Sequence, residues 1–174
     1  MSKRKAGALP PPPLYVLRAH TADVTALCLC GLRAEAESTD ASVSAAAAQR
    51  RMILASGSTD GILKLWDLVS RRVCVELNEH GGRGIIGLAW LAESTQLVSQ
   101  GRDGCMRMWN VQAKFGGQDE LQLELDVAFV MNHGSYTFTR ISYAPASDGG
   151  LLLAPAANDN FFEIWDRSFR PGTS

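Results

Sequence analysis

The sequence predicts an all-β protein made of about three repeats of a four-stranded unit, and two observations carry that prediction. The first is a gap-free match of three segments: SGSTDGILKLWDL (56–68), SQGRDGCMRMWNV (99–111) and PAANDNFFEIWDR (155–167). In each, an aspartate (Asp60, Asp103, Asp159) stands six residues before a tryptophan (Trp66, Trp109, Trp165). Gly61, Gly104 and Asn160 follow the aspartates, and all three residue types tolerate the positive φ of a tight turn. Alternating or β-rich residues then lead to the tryptophan, so each segment reads as strand, turn, strand. The second observation is a further match upstream: AHTADVTALCLC (19–30), EHGGRGIIGLAW (79–90) and, more loosely, NHGSYTFTRISYAP (132–145). Each starts with a histidine and enters a short apolar strand.

Taken in order, residues 1–13 form a basic, proline-rich tail in which Lys3, Arg4 and Lys5 are a weak nuclear address. Repeat 1 covers about 14–77, repeat 2 about 78–127 and repeat 3 about 128–167, and 168–174 is a second tail. RRVCVEL (71–77) and LQLELDV (121–127) supply the last strand of the first two repeats. The tryptophans are 43 and 56 residues apart, the longer interval being absorbed by a loop at 113–120. RAEAESTDASVSAAAAQRR (33–51) has almost no large apolar residue and is expected to be a mobile insertion in repeat 1. Phe161, Phe162, Met106, Met108 and Trp90 lie at strand spacing and are expected in the core.

Composition narrows the functional classes. A formal charge of −1 supplies no global basic field for nucleic acid or an anionic membrane, and the apolar runs are too short and broken to span a bilayer. The amino-terminus lacks the apolar stretch of a secretory signal. Cys28, Cys30, Cys74 and Cys105 form no CxxC pair and sit in apolar segments, which favours a reducing compartment, nucleus or cytoplasm. Three histidines, one in each repeat, do not make a metal site, and HGGRG (80–84) does not join a strand to a helix as a phosphate cradle would. No cofactor is expected.

Ser56, His20 and Asp60 in the first repeat, and Ser99, His80 and Asp103 in the second, resemble a hydrolase triad. The trio recurs with every strand unit, however, whereas an enzyme needs one nucleophile in one cleft. A serine, histidine and aspartate joined to a tryptophan N–H make a hydrogen-bonded chain that ties a loop to a turn and a strand. His20, Ser56, Asp60, Trp66, His80, Ser99, Asp103, Trp109, Asp159 and Trp165 are therefore assigned to a structural network. Pro155 replaces the serine in the third repeat and His133 aligns less securely, so that unit is expected to be looser.

The histidine, the aspartate turn and the terminal WDL (66–68), WNV (109–111) and WDR (165–167) resemble the WD40 repeat. That resemblance implies a β-propeller of four-stranded blades, here an incomplete ring whose remaining blades are missing, since the family carries about seven. LYVLR (14–18) would be the fourth strand of an absent last blade, and the chain is expected to be truncated. SQGRD (99–103), EHGG (79–82) and YVLRAH (15–20) are similar to the guanine-nucleotide-binding-protein beta-like, ASTRA-associated WD-repeat family, including its plant "decreased size exclusion limit" members. This implies a noncatalytic scaffold that binds other proteins through propeller-face loops, in assembly of phosphatidylinositol-3-kinase-related kinases and in chromatin regulation; its plant members imply roles in development and cell-to-cell trafficking. Arg83, Gln100 and Arg102 are candidate partner-binding residues, the alternatives being a solvated turn or, for Gln100, a hydrogen bond within the blade. A G-protein-type beta signalling subunit is a further reading, against which the prolines at 10–13 argue because they preclude a coiled-coil helix there.

Overall fold

A computed structural model describes residues 12–33, 35–36, 50–91, 95–115, 121–132, 139–145, 150–155 and 162–166. Its strands, in chain order, are β1 (Val24–Arg33), β2 (Glu35–Ala36), β3 (Arg50–Ser58), β4 (Leu63–Asp67), β5 (Arg72–Leu77), β6 (Ile85–Trp90), β7 (Gln96–Gly101), β8 (Cys105–Phe115), β9 (Leu121–Asn132), β10 (Ser142–Ala144), β11 (Leu151–Pro155) and β12 (Phe162–Asp166). Three sheets result, termed blades 1 to 3. Blade 1 is the antiparallel β1-β3-β4-β5, blade 2 is β6 to β9 joined in sequence order, and blade 3 is β10-β11-β12. The short β2 adds to blade 2, parallel to β8 at Lys114 and Phe115. The all-β architecture is the one the repeats predict.

Two cores lie between the blades. Ile53, Ala55 and Leu65 of blade 1 meet Ile85, Trp90, Leu97, Trp109 and Val111 of blade 2 in the first. Val98, Met106 and Met108 on the opposite face of blade 2 meet Ile141, Leu152 and Ala154 of blade 3 in the second. Because side chains alternate along a strand, one blade can present apolar residues to both neighbours. Leu97 and Val98 show this directly: they are adjacent in β7 and belong to different cores.

The structure differs from the sequence-based expectation in several places. Strand β8 continues to Phe115 and β9 starts at Leu121, so the loop expected at 113–120 is shorter. β9 runs on to Asn132, beyond the LQLELDV segment, with Phe129 and Met131 packing on the second core. The ends of the 33–51 insertion lie in β1, β2 and β3; residues 37–49 lie outside the described set. Phe162, expected in the core, is 66% exposed, because its face of blade 3 has no described blade over it. Met106, Met108 and Trp90 are buried. His133, Asp159 and Phe161 lie outside the described residues. Among the described residues, no helix is long and apolar enough to cross a membrane.

Candidate functional site

Blade 2 assembles the repeated polar residues into one relay. The β7–β8 hairpin sets Ser99 opposite Arg107 and Leu97 opposite Trp109, so serine and tryptophan converge from neighbouring strands. Trp109 Nε1 donates to Ser99 Oγ at 2.9 Å, and Ser99 Oγ lies 2.9 Å from His80 Nε2. His80 Nδ1 is 3.0 Å from Asp103 Oδ1. Arg107 Nη1, which can only donate, lies 2.8 Å from His80 Nδ1 as well, so the imidazole edge, the carboxylate and the guanidinium meet at one point. Asp103 also accepts from the Cys105 amide at 3.2 Å and from Arg107 Nη1 at 2.6 Å.

Electrostatics fix the charge states in this cluster. Burial disfavours the imidazolium and holds His80 below its ordinary value of 6.5, a tendency that the hydrogen bond to Asp103 opposes without reversing. Burial pushes the Asp103 carboxyl up, but the hydrogen bonds from His80 and Arg107 outweigh it, and the group lies below its ordinary 3.8. The result is a neutral histidine between a buried hydroxyl and an ionised, arginine-paired carboxylate.

Blade 1 builds only part of the same relay. Trp66 Nε1 donates to Ser56 Oγ at 2.8 Å, and Ser56 Oγ lies 2.7 Å from His20 Nε2. There the chain stops. His20 Nδ1 has no hydrogen-bond partner among the described residues, and Asp60 instead accepts from the Ser58 hydroxyl and from the Ile62 amide at 3.3 Å. The expected His20–Asp60 link is thus absent. Lys64, aligned with Arg107, also goes elsewhere: its Nζ donates to Ala19 O at 3.0 Å and to Glu76 at 2.6 Å. In blade 3, Trp165 packs against the second core opposite Leu152, and Ala154, opposite Glu163, holds the serine's place; Pro155, expected there, lies one residue further along β11, opposite Phe162, where Gln100 faces Met106 in blade 2.

The candidate partner residues separate into two kinds. Gln100 is fully buried, its Nε2 donating to Thr139 O and its Oε1 accepting from the Ile141 amide, both at 2.9 Å. It links blade 2 to blade 3 and has no surface to offer a partner, which corrects its placement among contact residues. The aligned position in blade 1 is Gly57, where a Cβ would stand 2.5 Å from Ile85 Cγ2. Arg102 and Arg83 are exposed. The Arg102 amide donates to Gly84 O at 2.8 Å, which brings the two arginine-bearing loops together.

Comparison with known proteins follows from this geometry. The family model "WD domain, G-beta repeat" matches residues 11–67 and 71–110, more than half of the chain. The chain belongs to the WD-repeat family. Among curated relatives, it is 35% identical to mouse guanine nucleotide-binding protein subunit beta-like protein 1 over 103 residues, 59% of this chain and 28% of that protein. It is 30% identical to the anaphase-promoting complex subunit cdh1 of Dictyostelium discoideum, over 89% of this chain and 18% of the relative. The WD-repeat chain therefore spans less than a third of the length of these relatives. In three dimensions it is similar to a chain of the mitotic checkpoint complex (TM-score 0.57, 20% identity, 88% of this chain and 38% of that one). It is also similar to the β-propeller domain of Cps50 (Swd1) from Myceliophteria thermophila (TM-score 0.52, 18% identity, 84% and 40%). These likenesses show the fold: an open run of WD40 propeller blades. WD-repeat proteins are in general noncatalytic scaffolds for protein interactions.

Proposed function

We propose that this scaffold recognises a protein partner through the rim formed by the loop around Arg83 and the turn around Arg102. The observation that carries the reading is the contrast between adjacent residues: Asp103 turns inward to His80 and Arg107, while Arg102 is exposed beside the Arg83 loop. Two arginines on adjoining loops, held by buried relays, are suited to charge-assisted contact with a partner. The finer reading is a subunit or adaptor of an ASTRA-like assembly acting in the nucleus or cytoplasm, which rests on the resemblance of EHGG (79–82), SQGRD (99–103) and YVLRAH (15–20) to the beta-like, ASTRA-associated family.

A hydrolase reading has a physical objection. Ser99 is fully buried and its oxygen already accepts from Trp109, so no substrate carbonyl can approach it. The rim is tested by affinity recovery from cell extract, comparing the unaltered chain with an Arg83→Ala, Arg102→Ala double variant. Recovery of kinase-assembly or chromatin-associated proteins should fall several-fold while stability changes by no more than about 0.5 kcal/mol, as for exposed residues. Unchanged recovery would rule out the arginine rim; loss of recovery without those classes of protein would remove the ASTRA-like assignment.

A further inference from the structure

Two hairpins run past the ends of the repeat, one in blade 1 and one in blade 2. Ile53 faces Asp67 in blade 1 as Gln96 faces Asn110 in blade 2, so these pairs mark equivalent places. β7 starts at Gln96, but β3 starts earlier, at Arg50, and sets Arg51 opposite Leu32 of β1. β4 ends at Asp67, but β8 continues past Asn110 to Phe115, with residues 121–124 of β9 paired along it. Leu32 on the first extension and Leu121 and Leu123 on the second all join the first core. The short β2, which follows β1, pairs with the extended part of β8 and ties the two together.

A groove of about 770 Å³ lies between these extensions and the β4–β5 turn of blade 1. It is at the opposite end of β8 from the Arg102 turn, since Leu121 pairs with Phe115 and Cys105 with Asn132. Val73, Cys74 and Leu123 give it an apolar lining. β5 delivers two neighbours to that lining through a bulge: Val75 faces Leu65 and Val73 faces Trp66, with Cys74 left over between them. Four charged side chains also line the groove, Arg51, Asp67, Arg72 and Glu124. Buried Asp67 accepts from the Val69 and Ser70 amides at 3.0 and 3.2 Å, with Arg51 Nη1 3.8 Å away. Glu124 is 3.4 Å from Lys114 Nζ. Arg72 is exposed and has no ion-pair partner among the described residues. Both acidic groups thus have a cation beside them, and the charge the groove has to offer is a guanidinium.

We propose that this groove takes an extended segment of a partner protein in which acidic and apolar side chains alternate. An extended chain points successive side chains to opposite sides, so its carboxylates face Arg72 at the mouth while its apolar side chains rest on Val73, Cys74 and Leu123. The space is too large for a lone inorganic anion and of the size that holds a molecule with both polar and apolar parts. A peptide also suits the walls: β5 and β9 are the outer strands of their sheets and present main-chain groups on one side to an added strand. A guanidinium with no competing carboxylate favours an acidic partner over a basic one. The groove and the arginine rim lie at opposite ends of blade 2, so either can fail without the other.

The test uses a displayed library of random peptides, selected on the unaltered chain. Selected peptides are measured by fluorescence anisotropy and by the protection they give each cysteine from iodoacetamide, read by mass spectrometry. Enriched sequences should alternate aspartate or glutamate with aliphatic or aromatic residues. They should slow alkylation of Cys74, in the groove, and leave Cys105, beside the Arg102 turn, unchanged. Arg72→Glu, at an exposed position, should weaken binding about ten-fold or more. Ser70→Trp, also exposed, fills the groove without a change of charge and should weaken binding as well. The Arg83→Ala, Arg102→Ala variant should bind like the unaltered chain. No enrichment, enrichment of basic peptides, indifference to both groove variants, or protection of Cys105 in place of Cys74 would each overturn the proposal. Binding that emerges only when residues 37–49 are deleted would make that segment the occupant and would overturn it too.

Discussion

Blades 1 and 2 carry a histidine, serine, aspartate and tryptophan at matching positions, yet only in blade 2 does the aspartate reach the histidine. The difference traces to one position. Gly101 precedes the blade 2 turn, and a Cβ there would overlap both the His80 ring and the Asp103 carboxylate. Its aligned residue in blade 1 is Ser58, whose hydroxyl donates to Asp60 and draws the carboxylate away from His20. A glycine leaves room for a long relay; a serine in its place closes a local turn instead. The neighbouring cation follows the carboxylate: Arg107 joins the relay, while Lys64 turns to Glu76. Two blades of one fold can thus share the residues of a network and differ in whether the network is complete.

The sharpest way to break this contrast is Gly101→Ser. It forces the serine Cβ into the relay and should cost about 3 kcal/mol, from overpacking together with unpaired buried groups. Chemical denaturation would detect it, and a change below about 1 kcal/mol would mean that blade 2 does not depend on this space. Next is Asp103→Ala, which removes the carboxylate shared by His80 and Arg107 and should destabilise by about 1–3 kcal/mol. Asp60→Ala, measured in parallel, should cost less than about 1 kcal/mol, since Asp60 serves a local and more accessible turn. Equal losses at the two aspartates would erase the distinction.

The smallest effect is with pH. His80 is held below its ordinary 6.5 in the fold, so the unfolded chain takes up the proton first as pH falls. The stability contributed by neutral His80 is complete above 6.5 and declines as pH drops through that value toward the lower folded one. Melting midpoints between about pH 7.5 and 5 should show a decline that shrinks in His80→Gln and changes less in His20→Gln, whose ring is less enclosed. Asp103 adds a second loss as pH falls below its ordinary 3.8.

Much of this fold was legible because its signals are local. The six-residue spacing from Asp60 to Trp66 and from Asp103 to Trp109 encodes a hairpin, and a hairpin fixes which residues face each other. What was not legible depends on neighbours. Gln100 reads as a turn-proximal polar residue until Ile141, far along the chain, is found against its amide. Phe162 has strand spacing, but its burial depends on whether another blade covers that face. The difference between Gly101 and Ser58 was visible in SQGRD and SGSTD. Its consequence was not, because the repeat pattern suggests equal partners and only geometry shows the serine hydroxyl competing for the carboxylate. The strand addition from LELDV through AFVMN could have been found by continuing the alternation to Phe129 and Met131.

The most direct measurement is a pair of double-mutant cycles on unfolding free energy, His80→Phe with Asp103→Ala and His20→Phe with Asp60→Ala. A complete relay in blade 2 predicts a coupling of about 1–2 kcal/mol between His80 and Asp103, and an interrupted one in blade 1 predicts a coupling within about 0.5 kcal/mol of zero between His20 and Asp60. Couplings of equal size in the two blades, or none in blade 2, would contradict the assignment of these residues to a blade-holding network that Gly101 permits and Ser58 interrupts.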